Sequence, residues 1–85
     1  MTETDNRDEL IARLVDNLPA LRAKCALTQS ELADNIGIGR QTLMSIENKK
    51  SKMRKDTFIA TIVYFSKNEK TSEFMKFLSL HLDQI

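Results

Sequence analysis

Apolar side chains recur along this chain at spacings of three and four residues, with polar residues between them. That period belongs to helices that bury one face. Leu10, Ile11, Leu14, Val15 and Leu18 make the first such face, with Asp5 or Asn6 as its N-cap and the polar stretch from Met1 to Asp5 frayed ahead of it. Pro19, the single proline, either kinks this helix or opens a new one at its first position, so the pattern predicts a break at Leu18. Leu21 and Leu27 continue the apolar face. Thr28 with Glu31 three residues later is a capping-box signature for the next helix. A further helix runs from Arg40 to about Glu47, and Asn48 to Lys55 reads as a polar, basic loop. Phe58, Ile59, Ile62, Val63 and Phe65 mark another helix, starting near Lys55 or Asp56 and ending near Asn68. Thr71 or Ser72 caps a last one carrying Phe74, Phe77, Leu78, His81, Leu82 and Ile85. Strand-like alternation, internal repeats and low-complexity segments are absent from the sequence. The fold class is all-α.

Within this series, residues 28–48 are the most informative. Leu32, Ile36, Ile38, Leu43 and Ile46 fall where two short crossing helices bury apolar side chains. Ala33 is small enough to let the second helix cross closely. Gly37 sits in the turn, where a positive φ is expected that glycine adopts without strain. This is the pattern of a helix-turn-helix, which places its second helix in a DNA major groove.

Eighty-five residues and 41% apolar content suit one small domain, whose core would gain from dimerisation. Cys25 is the only cysteine, so no intramolecular disulfide forms, and it reads as a small buried hydrophobe rather than a redox sensor. No apolar run reaches membrane-spanning length and the acidic N-terminus lacks a signal-peptide layout, so the expected location is cytoplasmic.

The net charge of +1 conceals an uneven distribution. Residues 1–16 hold Glu3, Asp5, Asp8, Glu9 and Asp16 against Arg7 and Arg13, a balance of −3. Residues 40–55 hold Arg40, Lys49, Lys50, Lys52, Arg54 and Lys55 against Glu47, a balance of +5. A charge run is ordinarily a solvated face; beside a helix-turn-helix it fits the electrostatic footprint of a nucleic-acid binder.

With Leu43 and Ile46 pointing inward, Arg40, Gln41, Met44 and Ser45 are left on the outward stripe as candidate base contacts. Arginine bonds bidentately to guanine and glutamine to adenine, each discriminating by roughly 1–3 kcal/mol. Met44 suits a thymine methyl. Thr42 faces sideways toward a phosphate. Gln29, at the positive end of the leading helix, and Asn48, Lys49, Lys50, Lys52 and Arg54, after the second helix, are candidate phosphate contacts. About eight such contacts in a dimer would give a log K against log salt slope near −7.

Thr28-Gln29-x-Glu31-Leu32-Ala33, Gly37, Arg40-Gln41-Thr42-Leu43 and Ile46-Glu47-Asn48 resemble the XRE family, the helix-turn-helix regulators similar to lambda repressor and Cro. The resemblance implies a five- to six-helix lambda-repressor-like DNA-binding domain, spanning roughly Leu18 to Phe65 and part of the C-terminal region. It further implies DNA contact by Gln29, Arg40, Gln41 and Ser45, and backbone contact from Asn48 onward. Three positions depart from the family pattern. Gly39 stands where serine or threonine usually caps the second helix. Lys49 takes the usual glycine position, which predicts that Asn48 adopts the left-handed conformation instead. The following loop lacks the frequent proline and holds Met53. Residues 1–17 form an N-terminal extension of the minimal domain.

His81 has no second histidine or cysteine at ligand spacing, and the serines, threonines and carboxylates lack the pairing that catalysis needs. The expectation is a non-enzymatic protein without metal or cofactor. The apolar stripe of the C-terminal helix, residues 71–85, fits its own core and a homodimer contact equally well. The sequence therefore points to a sequence-specific transcriptional regulator, a repressor, binding double-stranded DNA as a homodimer. The alternative is a protein-interaction adaptor or antitoxin-like module that keeps the fold. The basic stripe beside Arg40 and Gln41 separates the two, because an adaptor has no use for it.

Overall fold

The computed structural model describes residues 3–80, with side chains from Arg7 onward. Five helices follow in order: α1 Glu3–Lys24, α2 Gln29–Ile36, α3 Arg40–Glu47, α4 Lys55–Lys67 and α5 Ser72–Phe77. α1 packs on α3, α2 on both α3 and α4, and α4 on α5. No strand occurs among the described residues.

α1 is a single helix with Pro19 inside it, and the break expected at Leu18 does not occur. An interior proline removes one hydrogen bond and crowds the preceding turn, at a cost of about 3 kcal/mol or more. Leu10, Leu14, Leu18 and Leu21 lie on one stripe of this helix and are at most 5% exposed. Fully burying a leucine contributes about 1.5–3 kcal/mol, so residues on both sides of Pro19 hold the helix together. α1 also starts at Glu3, ahead of the caps expected at Asp5 or Asn6, with no proline or glycine upstream to stop it. Leu10 and Leu14, in the stretch read as an extension, are part of the core.

Leu32, Ala33 and Ile36 from α2, Leu43 and Ile46 from α3, and Phe58, Ile62 and Phe65 from α4 complete the centre. Ile38, Ile59 and Val63 are half-buried around it. Met53 is buried as well, although it lies in the loop expected to be polar. Two threonines enter α4's buried side and satisfy their hydroxyls locally. Thr61 Oγ1 donates to the Thr57 carbonyl at 2.7 Å. Thr71 Oγ1 donates to the Phe65 carbonyl at 2.8 Å, and so ties the end of α4 instead of capping α5 with its side chain.

The C-terminal helix is shorter than the expected span of 71–85. It ends at Phe77, after which Ser79 turns left-handed (φ 58°) and the Leu80 N–H donates back to the Met75 carbonyl at 3.0 Å. This return drives Leu80 into the core beside Met75, and these two are the buried apolar residues among the described part of the segment. Phe74 and Leu78 are half-buried and Phe77 is 80% exposed. Arg13 Nη1 donates to the Leu78 carbonyl at 3.0 Å, tying α1 to the end of α5. His81, Leu82 and Ile85 lie outside the described residues.

Candidate nucleic-acid interface

Local chemistry sets the angle between α2 and α3. The Thr28 hydroxyl accepts the Glu31 N–H at 3.1 Å, and the Glu31 carboxylate accepts the Thr28 N–H at 2.9 Å, so the expected capping box is complete. α2 ends at Gly37 with φ 79°, the left-handed turn that glycine takes most cheaply. Gly39, in extended conformation, opens α3 without a side-chain cap. A Cβ at Gly39 would meet only the Thr42 hydroxyl, at 3.9 Å, so the serine or threonine of the family pattern would fit there.

α3 buries Leu43 and Ile46 and turns Arg40, Gln41 and Thr42 to solvent at its N-terminal end. Met44 and Ser45 are half-buried. Of the four candidate base contacts, two are fully presented and two sit lower on the same helix. Arg40 meets Arg22, Thr28, Gln29 and Ser30 around a shallow recess at the start of α2. The Thr28 carbonyl and hydroxyl take the N–H groups of Leu32 and Glu31, while the N–H groups of Gln29 and Ser30 open onto this end of the helix. Such an end attracts anions. Ser30 was not among the residues singled out from sequence; its signal was its place as the second residue of a capped helix.

Gln29 is half-buried, and its side-chain Nε2 donates to Glu47 Oε1 at 3.0 Å. Glu47 in turn takes two bonds from Arg22, at 2.9 and 3.0 Å, and Arg22 Nη1 reaches the Leu27 carbonyl at 3.2 Å. The start of α2 and the last turn of α3 are therefore locked to the end of α1. None of this network was legible as a site in the sequence.

Beyond α3 the expected roles of Asn48 and Lys49 are exchanged. Asn48 keeps φ −83°, and Lys49 takes the left-handed position with φ 64°. The Lys49 N–H donates to Ile46 and the Lys50 N–H to Ser45, closing the helix end around Lys49 itself. This 6→1, 5→2 pattern places the positive φ one residue beyond the Asn48 cap, whatever side chain stands there. Asn48, Lys49, Lys50, Lys52 and Arg54 are all exposed. Lys49 pairs with Asp16 of α1, and Arg54 lies 3.6 Å from Asp56. Lys50 and Lys52 pair with no carboxylate among the described residues. No described helix is long and apolar enough to cross a membrane.

A family model described as Helix-turn-helix matches residues 20–60, from the last turns of α1 into α4. No curated protein and no solved structure matches the chain significantly. The matched segment contains the capped α2, the Gly37 turn and the whole of α3. Residues 20–60 thus form a helix-turn-helix segment that matches its family model, in line with the resemblance to the XRE-type DNA-binding regulators.

Proposed function

We propose that the protein is a sequence-specific transcriptional regulator that reads the major groove with α3 and acts as a repressor by occupying an operator. The observation that carries this reading is the exposed Arg40-Gln41-Thr42 edge, flanked on one side by the open end of α2 and on the other by the cations of residues 49–54. In this reading Arg40 and Gln41 bond base edges, and Met44 and Ser45 make shorter-range contacts once the helix is seated. Gln29 and Thr42 hold phosphates at the entry to α3, and Asn48, Lys49, Lys50, Lys52 and Arg54 hold the strand beyond it.

The active form in this proposal is a homodimer, with each copy taking one half-site about 34 Å from the other. The C-terminal segment supports it. Phe77 is strongly exposed and stacks on Phe74, with ring centres 6.1 Å apart. The Lys24 ammonium covers the Phe74 ring at 4.7 Å, so the aromatic pair is anchored at one end and open at the other.

Selection of binders from a random duplex pool at fixed salt tests the proposal, with an Arg40→Ala, Gln41→Ala double variant run in parallel. Enrichment of an inverted repeat by the wild type, lost in the variant, is the expected result. Absence of enrichment at low salt would overturn it in favour of a protein-interaction adaptor.

A further inference from the structure

The cations behind α3 are unequal. Lys49 leaves the backbone from a left-handed residue whose position is fixed by the Lys49-to-Ile46 and Lys50-to-Ser45 hydrogen bonds, at 3.0 and 2.9 Å. Its ammonium is turned back onto the Asp16 carboxylate of α1. Asp8 and Asp16 stand on one wall of a groove of about 590 Å³, and Lys49, Lys50 and Lys52 stand on the other. Both members of the Asp16–Lys49 pair are more than half exposed, so the pair adds little to stability. Its effect is on where charge is available.

We infer that Asp16 is a selectivity residue for DNA: it holds Lys49, one of the proposed phosphate contacts, away from the strand until α3 is seated on its site, and so lowers sequence-independent affinity. The inference rests on the DNA-binding reading above. Non-specific binding arises essentially from phosphate contacts and the counterions they release. A phosphate approaching Lys49 must displace the Asp16 carboxylate, exchanging one ion pair for another while facing a like charge. Lys50 and Lys52 carry no such restraint. Base contacts from Arg40 and Gln41, on the opposite end of α3, do not feel Asp16 directly. Where base contacts seat α3, they hold the phosphate against Lys49 and drive the exchange, whereas on random sequence nothing does; Asp16 therefore subtracts more from binding to random sequence, and the specificity ratio rises. Asp16 acts through Lys49 and is a positioning residue rather than a DNA contact.

The test compares wild type, Asp16→Asn, Lys49→Gln, the Asp16→Asn, Lys49→Gln double variant and Glu9→Gln. Each is titrated on a random-sequence duplex and on a selected site across a salt series, after circular dichroism has established native helicity. Glu9→Gln removes the same charge from an exposed position of the same helix. Asp16→Asn is expected to bind the random duplex several-fold more tightly at low salt, with a slope steeper by about 0.9 per protomer. The gain at the selected site is smaller, so the ratio falls. In the Lys49→Gln background the Asp16 substitution produces no steepening. Equal effects of Asp16→Asn and Glu9→Gln, or steepening that persists without Lys49, would overturn the inference while leaving the DNA reading intact. Failure of the wild type to bind any duplex at low salt would overturn both.

Discussion

Arg22 near the end of α1 and Glu47 at the end of α3 are joined by two parallel hydrogen bonds, Nε to Oε2 at 2.9 Å and Nη2 to Oε1 at 3.0 Å. The Glu47 side chain is only 6% exposed and that of Arg22 19%. This pair fixes the far end of the proposed reading helix to the scaffold, and Gln29 joins it from α2. The exposed edge at Arg40, the proposed base-reading edge, is thus oriented from both ends of α3, by the Gly37 turn and by Glu47.

Removing one partner should be costly because the other remains largely buried and charged. Arg22→Met is expected to lower unfolding free energy by about 3 kcal/mol, whereas an Arg22→Met, Glu47→Leu double variant should lose clearly less than the sum of the single losses. Urea titration of the two single variants and the double variant measures the coupling. Strict additivity would show that the two side chains contribute independently.

Left-handed residues close four of the helices, and only Gly37 at the end of α2 is a glycine; Ala26, Lys49 and Ser79 follow α1, α3 and α5. At Ala26 the Leu27 N–H returns to Arg22 at 2.9 Å and the Ala26 N–H to Ala23 at 3.1 Å, a paired closure that requires the positive φ. Ala26 is exposed, so its methyl contributes little packing. Ala26→Gly is expected to stabilise the fold by about 0.5–1 kcal/mol, the steric relief exceeding glycine's greater loss of freedom on folding. For a domain of this size that corresponds to a rise in Tm of roughly 2–8 °C. A lower Tm in a thermal melt would contradict it.

The features legible in the sequence were those set by neighbouring residues. Thr28 with Glu31 and the Gly37 turn between apolar α2 and α3 are local devices, and they predicted the bounds of both helices. What escaped was settled by contacts distant in sequence. Pro19 is a helix breaker by its own chemistry, but Leu14, Leu18 and Leu21 dock together and carry the helix past it. Met53 and Leu80 belong to no periodic stripe, since each reaches the core from a bend after a helix end. The pairs Arg22–Glu47 and Lys49–Asp16 join different helices, so no spacing rule announces them. Hence the candidate reading face was legible, and the network that orients it was not.

Phe77 contributes little to its own domain, being 80% exposed. Phe77→Ser should therefore leave the stability of the isolated protomer within about 0.5 kcal/mol. The same change removes an apolar anchor from the proposed dimer contact. Sedimentation equilibrium is expected to show a weaker dimer than wild type with unchanged helicity. A dimer of undiminished strength would move the interface away from α5.

Reading and clamping residues should separate under salt. Lys50 is exposed and free of any carboxylate partner among the described residues, so in the proposed complex its ammonium meets a phosphate directly. Lys50→Ala is expected to weaken binding to every duplex by a similar factor and to flatten the log K against log salt slope by about 0.9 per protomer. Arg40→Ala acts on a base edge in this reading. It should cost about 1–3 kcal/mol at the selected site and relax the preference at one position of each half-site. Affinity for random sequence should then change far less than it does in Lys50→Ala. The two variants differ in which measurement moves, not in how much affinity is lost, and that makes the assignment testable even if both bind poorly. Titrations of each on matched and random duplexes at three or more salt concentrations give both quantities. If Arg40→Ala flattened the slope and left base preference intact, Arg40 would belong with the phosphate contacts at the mouth of α2, beside Gln29 and Ser30.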